Sequence, residues 1–186
     1  MIEEYVDNPP ALGAVVETDR GSLPFALIHG EALVACAVWA LGEAGVTPVD
    51  FSTPWASVVE SEEAFVLHDA LCPMTPAAFI ARCVATAEET ASVVVGVRPV
   101  TDTVKRVEDG VVGDTVDREG LVSVTSPIVL PSHVVAALAE MPSGDFADVA
   151  AALADRFPVR TIEAPPEGRR VVDADDVRVL EALTQP

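Results

Sequence analysis

Apolar positions along the chain fall into short unbroken runs, separated by stretches where they recur every three or four residues. The runs "ALGAVVE" (11–17), "AFVLHD" (64–69), "SVVVGV" (92–97), "LVSVTSPIVL" (121–130) and "VRTIEA" (159–164) have strand length. The third is apolar throughout, as a strand buried on both faces of a parallel sheet would be. Helical spacing appears in "HGEALVACAVWALGEAG" (29–45), stopped by Gly45, and in "TPAAFIARCVATAEET" (75–90), with Thr75 as N-cap and Pro76 at the first helical position. Three more helices follow at 132–141, 145–157 and 173–185, the last capped by Asp173. The prolines at 48 and 54 make 46–63 a connector with at most one short strand, and the first ten residues carry no clear pattern. Strands alternating with helices predict a three-layer α/β domain with a mostly parallel, Rossmann-like sheet, in which residues 1–186 form one domain.

One stretch departs from that plan. "TDTVKRVEDGVVGDTVDREGL" (101–121) alternates like a hairpin around Asp109-Gly110, yet neither face is cleanly apolar. A two-residue loop there pairs Glu108 with Val111, Val107 with Val112 and Lys105 with Asp114. Thr103 then lies opposite Val116, with Arg118 as its diagonal neighbour, so a hydroxyl and a guanidinium come close enough to share one phosphate. The plain alternative is a solvated ribbon with a Lys105–Asp114 surface pair worth at most about 1 kcal/mol. A two-stranded hairpin is marginal by itself, so a ribbon leaving the sheet at about 100–121 wants a cover. A second subunit's ribbon is the cheapest cover, which makes this a dimerisation arm.

Charge and composition narrow the class. With 30 acidic against 11 basic side chains, a net charge of −19, the chain suits neither nucleic acid nor an anionic membrane. Three cysteines without a CxxC pair fit a reducing cytosol better than a disulfide framework, and no signal peptide opens the sequence. A cytoplasmic domain is the expectation. Cys72 and His68 have no partners spaced for a thiol nucleophile and read as packed side chains; Asp173, Asp175 and Asp176 read as helix-end carboxylates, and no Cys/His set has zinc spacing.

Four stretches carry a family likeness: "VLHDALCPMTP" (66–76), "PVTDTVKRV" with "DTVDREGL", "TSPIVLP" (125–131), and "EGRRVVDADDVRVLEALTQ" (167–185). Together they resemble the 2-C-methyl-D-erythritol 4-phosphate cytidylyltransferases of isoprenoid biosynthesis. The resemblance implies a nucleotidyltransferase-like core and a homodimer made by the arm. It also implies a small phosphorylated ligand, with threonine and arginine of one subunit reaching into the other's site. By position these are Thr103 and Arg118. Asp69 stands where the family has the aspartate that helps with metal, as Mg²⁺, and polyol; Ser126 replaces a threonine and Arg170 a lysine.

The nucleotide half departs from the family. The glycine-rich loop after the first strand is shortened to "ETDRGSLP", where Glu17 opens the loop and Leu23 takes the place of a lysine. The family's base-reading loop is lost as well, replaced by the short proline-containing connector 46–63, and Cys72 stands in place of an arginine. Losing one preorganised donor typically costs about 10²–10³ in rate, so the joint loss predicts a catalytically impaired homologue, a pseudoenzyme that keeps an anion pocket across the dimer. Two alternatives remain open: an active nucleotidyltransferase in which Arg20 and Gly21 meet the triphosphate, and a ligand-free scaffold. The partner is a second copy or a related cytidylyltransferase.

Overall fold

The computed structural model describes residues 9–50, 52–101 and 103–185. The patternless first residues, as far as position 8, lie outside the described residues. Six strands form the central sheet: β1 (Ala11–Val16), β4 (Val46–Pro48), β5 (Ala64–Asp69), β6 (Val93–Pro99), β9 (Val122–Leu130) and β10 (Val159–Glu163). Their order is β10-β6-β9-β5-β1-β4. β1 runs parallel to β4 and β5, and β10 parallel to β6; β9 alone is antiparallel to its two neighbours. The expected mostly parallel α/β sheet is present, and all six residues of β5 are buried, as its apolar run predicts.

Helices cover both faces. On one, α2 (Trp55–Glu60), α4 (Ser132–Ala137) and α5 (Phe146–Ala154) bury Val58, Val134 and Leu153 against Phe65, Leu67 and Val95. On the other, α1 (Leu33–Glu43) and α3 (Ala77–Thr90) bury Leu41, Phe79 and Ile80 against Val66, Val94 and Val129. A third cluster seats α6 (Ala174–Leu183) through Val177 and Leu180 on Ile28, Leu33 and Leu71. Burial of these side chains at about 25 cal/mol per Å² of apolar surface is the main force holding the layers together. No helix among the described residues is long and apolar enough to cross a membrane.

Local details correct the sequence reading. α1 starts at Leu33 and not at 29, because Leu27–Ile28 (β2) and Glu31–Ala32 (β3) form a two-rung hairpin turning through His29 and Gly30 at positive φ. His29 is thereby tied to α6: its N–H donates to Glu181 at 2.8 Å, and its ring nitrogen pairs with Thr184. The connector contains α2 as well as β4, with Pro54 in extended conformation as N-cap. Pro76, not Thr75, caps α3; the Thr75 hydroxyl donates to the Cys72 carbonyl at 2.9 Å. Asp173 caps α6 as expected, accepting from the N–H groups of Asp175 and Asp176.

The arm is the separate sheet of β7 (Val104–Glu108) and β8 (Val111–Val116). Asp109 and Gly110 both take positive φ, the turn that a two-residue loop demands. Glu108 pairs with Val111 and Val107 with Val112, but Lys105 faces Thr115 and not Asp114. A bulge places both Gly113 and Asp114 against Arg106, so Val104, not Thr103, faces Val116. Lys105 donates to the Thr115 hydroxyl at 2.6 Å, which replaces the expected Lys105–Asp114 pair.

Candidate functional site

Asp69 ends β5 beside the end of β1, at the carboxyl edge of the parallel strands where ligands of open α/β sheets bind. The turn after it folds back, so that the Leu71 N–H donates to Asp69 Oδ1 at 2.9 Å. Two arginines from opposite ends of the chain meet this carboxylate. Arg20 Nε donates to Oδ1 at 3.2 Å and Arg170 Nε to Oδ2 at 3.1 Å. The side chains of Asp69 and Arg20 are 1% and 4% exposed, whereas Arg170 keeps 27%. Desolvating a carboxylate this completely is tolerable only with charged partners of this kind.

Each arginine is positioned by its own segment. Arg20 also donates to the carbonyls of Thr18 and Gly144 and lies over the Phe146 ring, which draws the loop after β1 onto the start of α5. Arg170 arrives because the Val171 N–H donates to the Leu71 carbonyl at 2.8 Å, and because Asp176 holds Arg169 and the Val172 N–H just beyond.

Ser126 lies behind the carboxylate. Its hydroxyl pairs with His68 Nδ1 and accepts from the Asp69 N–H at 3.0 Å, and both side chains are fully buried. Gly96 lets β9 come this close: a Cβ there would stand 2.5 Å from the Ser126 carbonyl oxygen. Burial lowers the His68 pKa to about 4, so the ring is neutral at neutral pH. Burial likewise pushes the Cys72 thiol well above its usual value, with Asp69 adding to the effect, and the Cys83 thiol to about 12. Neither is poised as a thiolate.

The structure thus brings Asp69, Ser126, Arg20 and Arg170 into one cluster. Gly21, at φ 61°, has open space around it. Thr103 and Arg118 lie out on the arm and are exposed; the Arg118 guanidinium donates to the carbonyl of Thr101 at the arm's root. A hard divalent cation asks for several oxygen ligands. Asp69 offers one carboxylate whose two oxygens already face guanidiniums, and no group of three His, Cys, Asp or Glu side chains gathers among the described residues. The protein side of a Mg²⁺ site here would be Asp69 alone, with the remaining oxygens coming from a bound phosphate or from water.

Beside the cluster opens a cavity of about 660 Å³, walled by the end of β6, the start of β9, the start of α5 and the segment before α6. Arg98, Arg169 and Arg170 line it with Ser123, Thr125 and Asp145. Of the residues singled out in the sequence, only Arg170 lies on this wall. Arg98 and Thr125 were missed, although Arg98 left a trace: a cation closing the apolar run "SVVVGVR" of an acidic chain.

Comparison with known proteins agrees with this architecture. Residues 53–185 match the family model described as "IspD: 2-C-methyl-D-erythritol 4-phosphate cytidylyltransferase". The 2-C-methyl-D-erythritol 4-phosphate cytidylyltransferase of Corynebacterium glutamicum is 40% identical over 114 residues, which cover 60% of this chain and 41% of that protein. The protein of the same name from Saccharopolyspora erythraea is 34% identical over 129 residues, covering 68% and 57% respectively. The chain therefore spans about half the length of these relatives. Among solved structures, the Thermus thermophilus 2-C-methyl-D-erythritol 4-phosphate cytidylyltransferase superposes with a TM-score of 0.64 at 21% identity, over 92% of this chain and 96% of that one. The 4-diphosphocytidyl-2C-methyl-D-erythritol synthase of Anaerococcus prevotii gives 0.67 at 13%, over 96% and 97%. At these identities the likeness concerns the fold.

Proposed function

The chain belongs to the IspD family of 2-C-methyl-D-erythritol 4-phosphate cytidylyltransferases, and from that premise we propose that it binds a phosphorylated polyol of the methylerythritol phosphate type while cytidylyl transfer is suppressed. The ligand enters the cavity against Arg170. Thr103 and Arg118 of a second subunit close over it, brought there by the arm, and that subunit is another copy or a related family member.

The observation that carries this reading is the buried Arg20–Asp69 pair, with Arg170 bonded to the same carboxylate at its open edge. A transferase of this type works by positioning a triphosphate and stabilising charge as one phosphoryl bond replaces another. Arg20 is the one cation of the shortened loop 17–24, and its guanidinium is engaged by Asp69, Gly144 and Thr18. Asp69 is engaged as well, its Oδ1 by Arg20 and the Leu71 N–H and its Oδ2 by Arg170, so a metal would compete with these donors. Arg170, partly exposed, remains available to an anion.

Calorimetry with methylerythritol phosphate, together with pyrophosphate release from CTP plus that acceptor, tests the proposal. Expected are binding by the wild type, binding weakened about tenfold or more by Arg118→Ala, and release slowed at least about 10²-fold against an active relative. Sustained turnover would favour an active transferase with a rebuilt loop. Absent binding in a protein that still dimerises would favour a scaffold.

A further inference from the structure

The cavity has a second cationic wall that the family resemblance does not assign. Arg98, at the end of β6, donates from Nη1 to the Ala164 carbonyl at 2.8 Å and has no carboxylate within ion-pair distance among the described residues. Its neighbours differ: Arg169 is paired with Asp176 at 2.8 Å and Arg170 with Asp69. An uncompensated, half-buried guanidinium on a chain of net charge −19 is out of keeping with its surroundings. Thr125 lines the same cavity, is only 2% exposed, and its hydroxyl is buried without any hydrogen-bond partner. Buried polar groups in native proteins are almost always satisfied, so an orphaned hydroxyl on a cavity wall marks the place of something that binds there. Asp145, the single carboxylate on the cavity wall among the described residues, has one oxygen engaged by the Ala147 N–H as the cap of α5.

We infer that Arg98 and Thr125 form an oxyanion subsite at the root of the arm, taking a phosphate group. The guanidinium presents its remaining N–H groups and the threonine its hydroxyl, a donor set matched to tetrahedral oxygens. The subsite goes beyond the reading above, because it needs neither a nucleotide nor a second subunit. Inorganic phosphate is therefore the proper probe, and its result stands whether or not methylerythritol phosphate binds.

The experiment is a titration of the full chain with inorganic phosphate at low ionic strength, comparing wild type, Arg98→Gln and Thr125→Val. Phosphate binding by the wild type is expected, weakened about tenfold or more by Arg98→Gln and about threefold to tenfold by Thr125→Val. Thr125→Val is nearly isosteric and removes an unsatisfied hydroxyl, so its melting temperature should hold or rise while its affinity falls. A structural role alone does not produce that opposition. No phosphate binding by the wild type overturns the inference, and so does an affinity unchanged within about twofold in either variant. A lower melting temperature for Thr125→Val overturns it too, since the hydroxyl would then already have a partner.

Discussion

The side chains around Asp69 satisfy one another through a connected set of hydrogen bonds. Ser126 uses its hydroxyl on His68 and on the Asp69 N–H, leaving His68 Nε2 without a partner. A histidine held neutral in this way couples folding to pH. Its folded pKa of about 4 lies below the usual 6.5, so the unfolded chain takes up the proton first as pH falls. Stability present above about pH 6.5 therefore declines down to about pH 4 and then levels off, by about 3 kcal/mol if the shift is fully expressed. Denaturant unfolding at intervals between those limits should show the decline in the wild type and a shallower one in His68→Gln. Equal slopes would mean that other groups govern the acid response. The histidine's presence before the aspartate was legible in the sequence. Its sealing was not, because burial depends on β9 crossing at Gly96.

At the scale of elements the arm is, among the described residues, the one piece without a core. β7 and β8 pair only with each other, and Val107, Val111 and Val112 are exposed on them. Hairpins of this kind are marginal in water, so three bare valines ask for a cover. If the cover is a second arm, Val112→Glu should weaken self-association about tenfold or more by sedimentation, with little change in the melting temperature of the separated subunit. A wild-type chain that stays monomeric at micromolar concentration would rule this out. The turn was readable from Asp109-Gly110, whose positive φ values glycine and aspartate tolerate. The register beyond it slipped by one because of the bulge at Gly113 and Asp114. An isolated glycine inside a strand is a known mark of a bulge, so the signal for the correction was present.

Across the whole molecule, Arg20 joins pieces far apart in sequence: the loop after β1, the end of β5 and the segment leading into α5. Removing it leaves Asp69 buried with one guanidinium and frees the Gly144 carbonyl. Arg20→Ala should cost about 3 kcal/mol of stability, and hydrogen exchange should quicken at the start of α5 and in 17–23 together. Exchange unchanged at α5 would show that the bonds to Asp69 and Gly144 do not hold these segments to one another.

The apolar runs and helical spacings by themselves determined the α/β layering, most strands of the central sheet, and the arm with its turn. These are local or periodic properties, set by which side chains can be buried on one face of an element. What the tertiary structure alone decided is which charges meet. Arg20 and Asp69 are 49 residues apart, and Asp69 and Arg170 are 101. Read along the chain they suggested a nucleotide contact, a metal ligand and an anion grip; folded, both arginines pair with Asp69, and the cluster keeps one net positive charge. Desolvation is the reason, because burying the end of β5 makes a lone carboxylate so costly that the cations within reach are drawn to it.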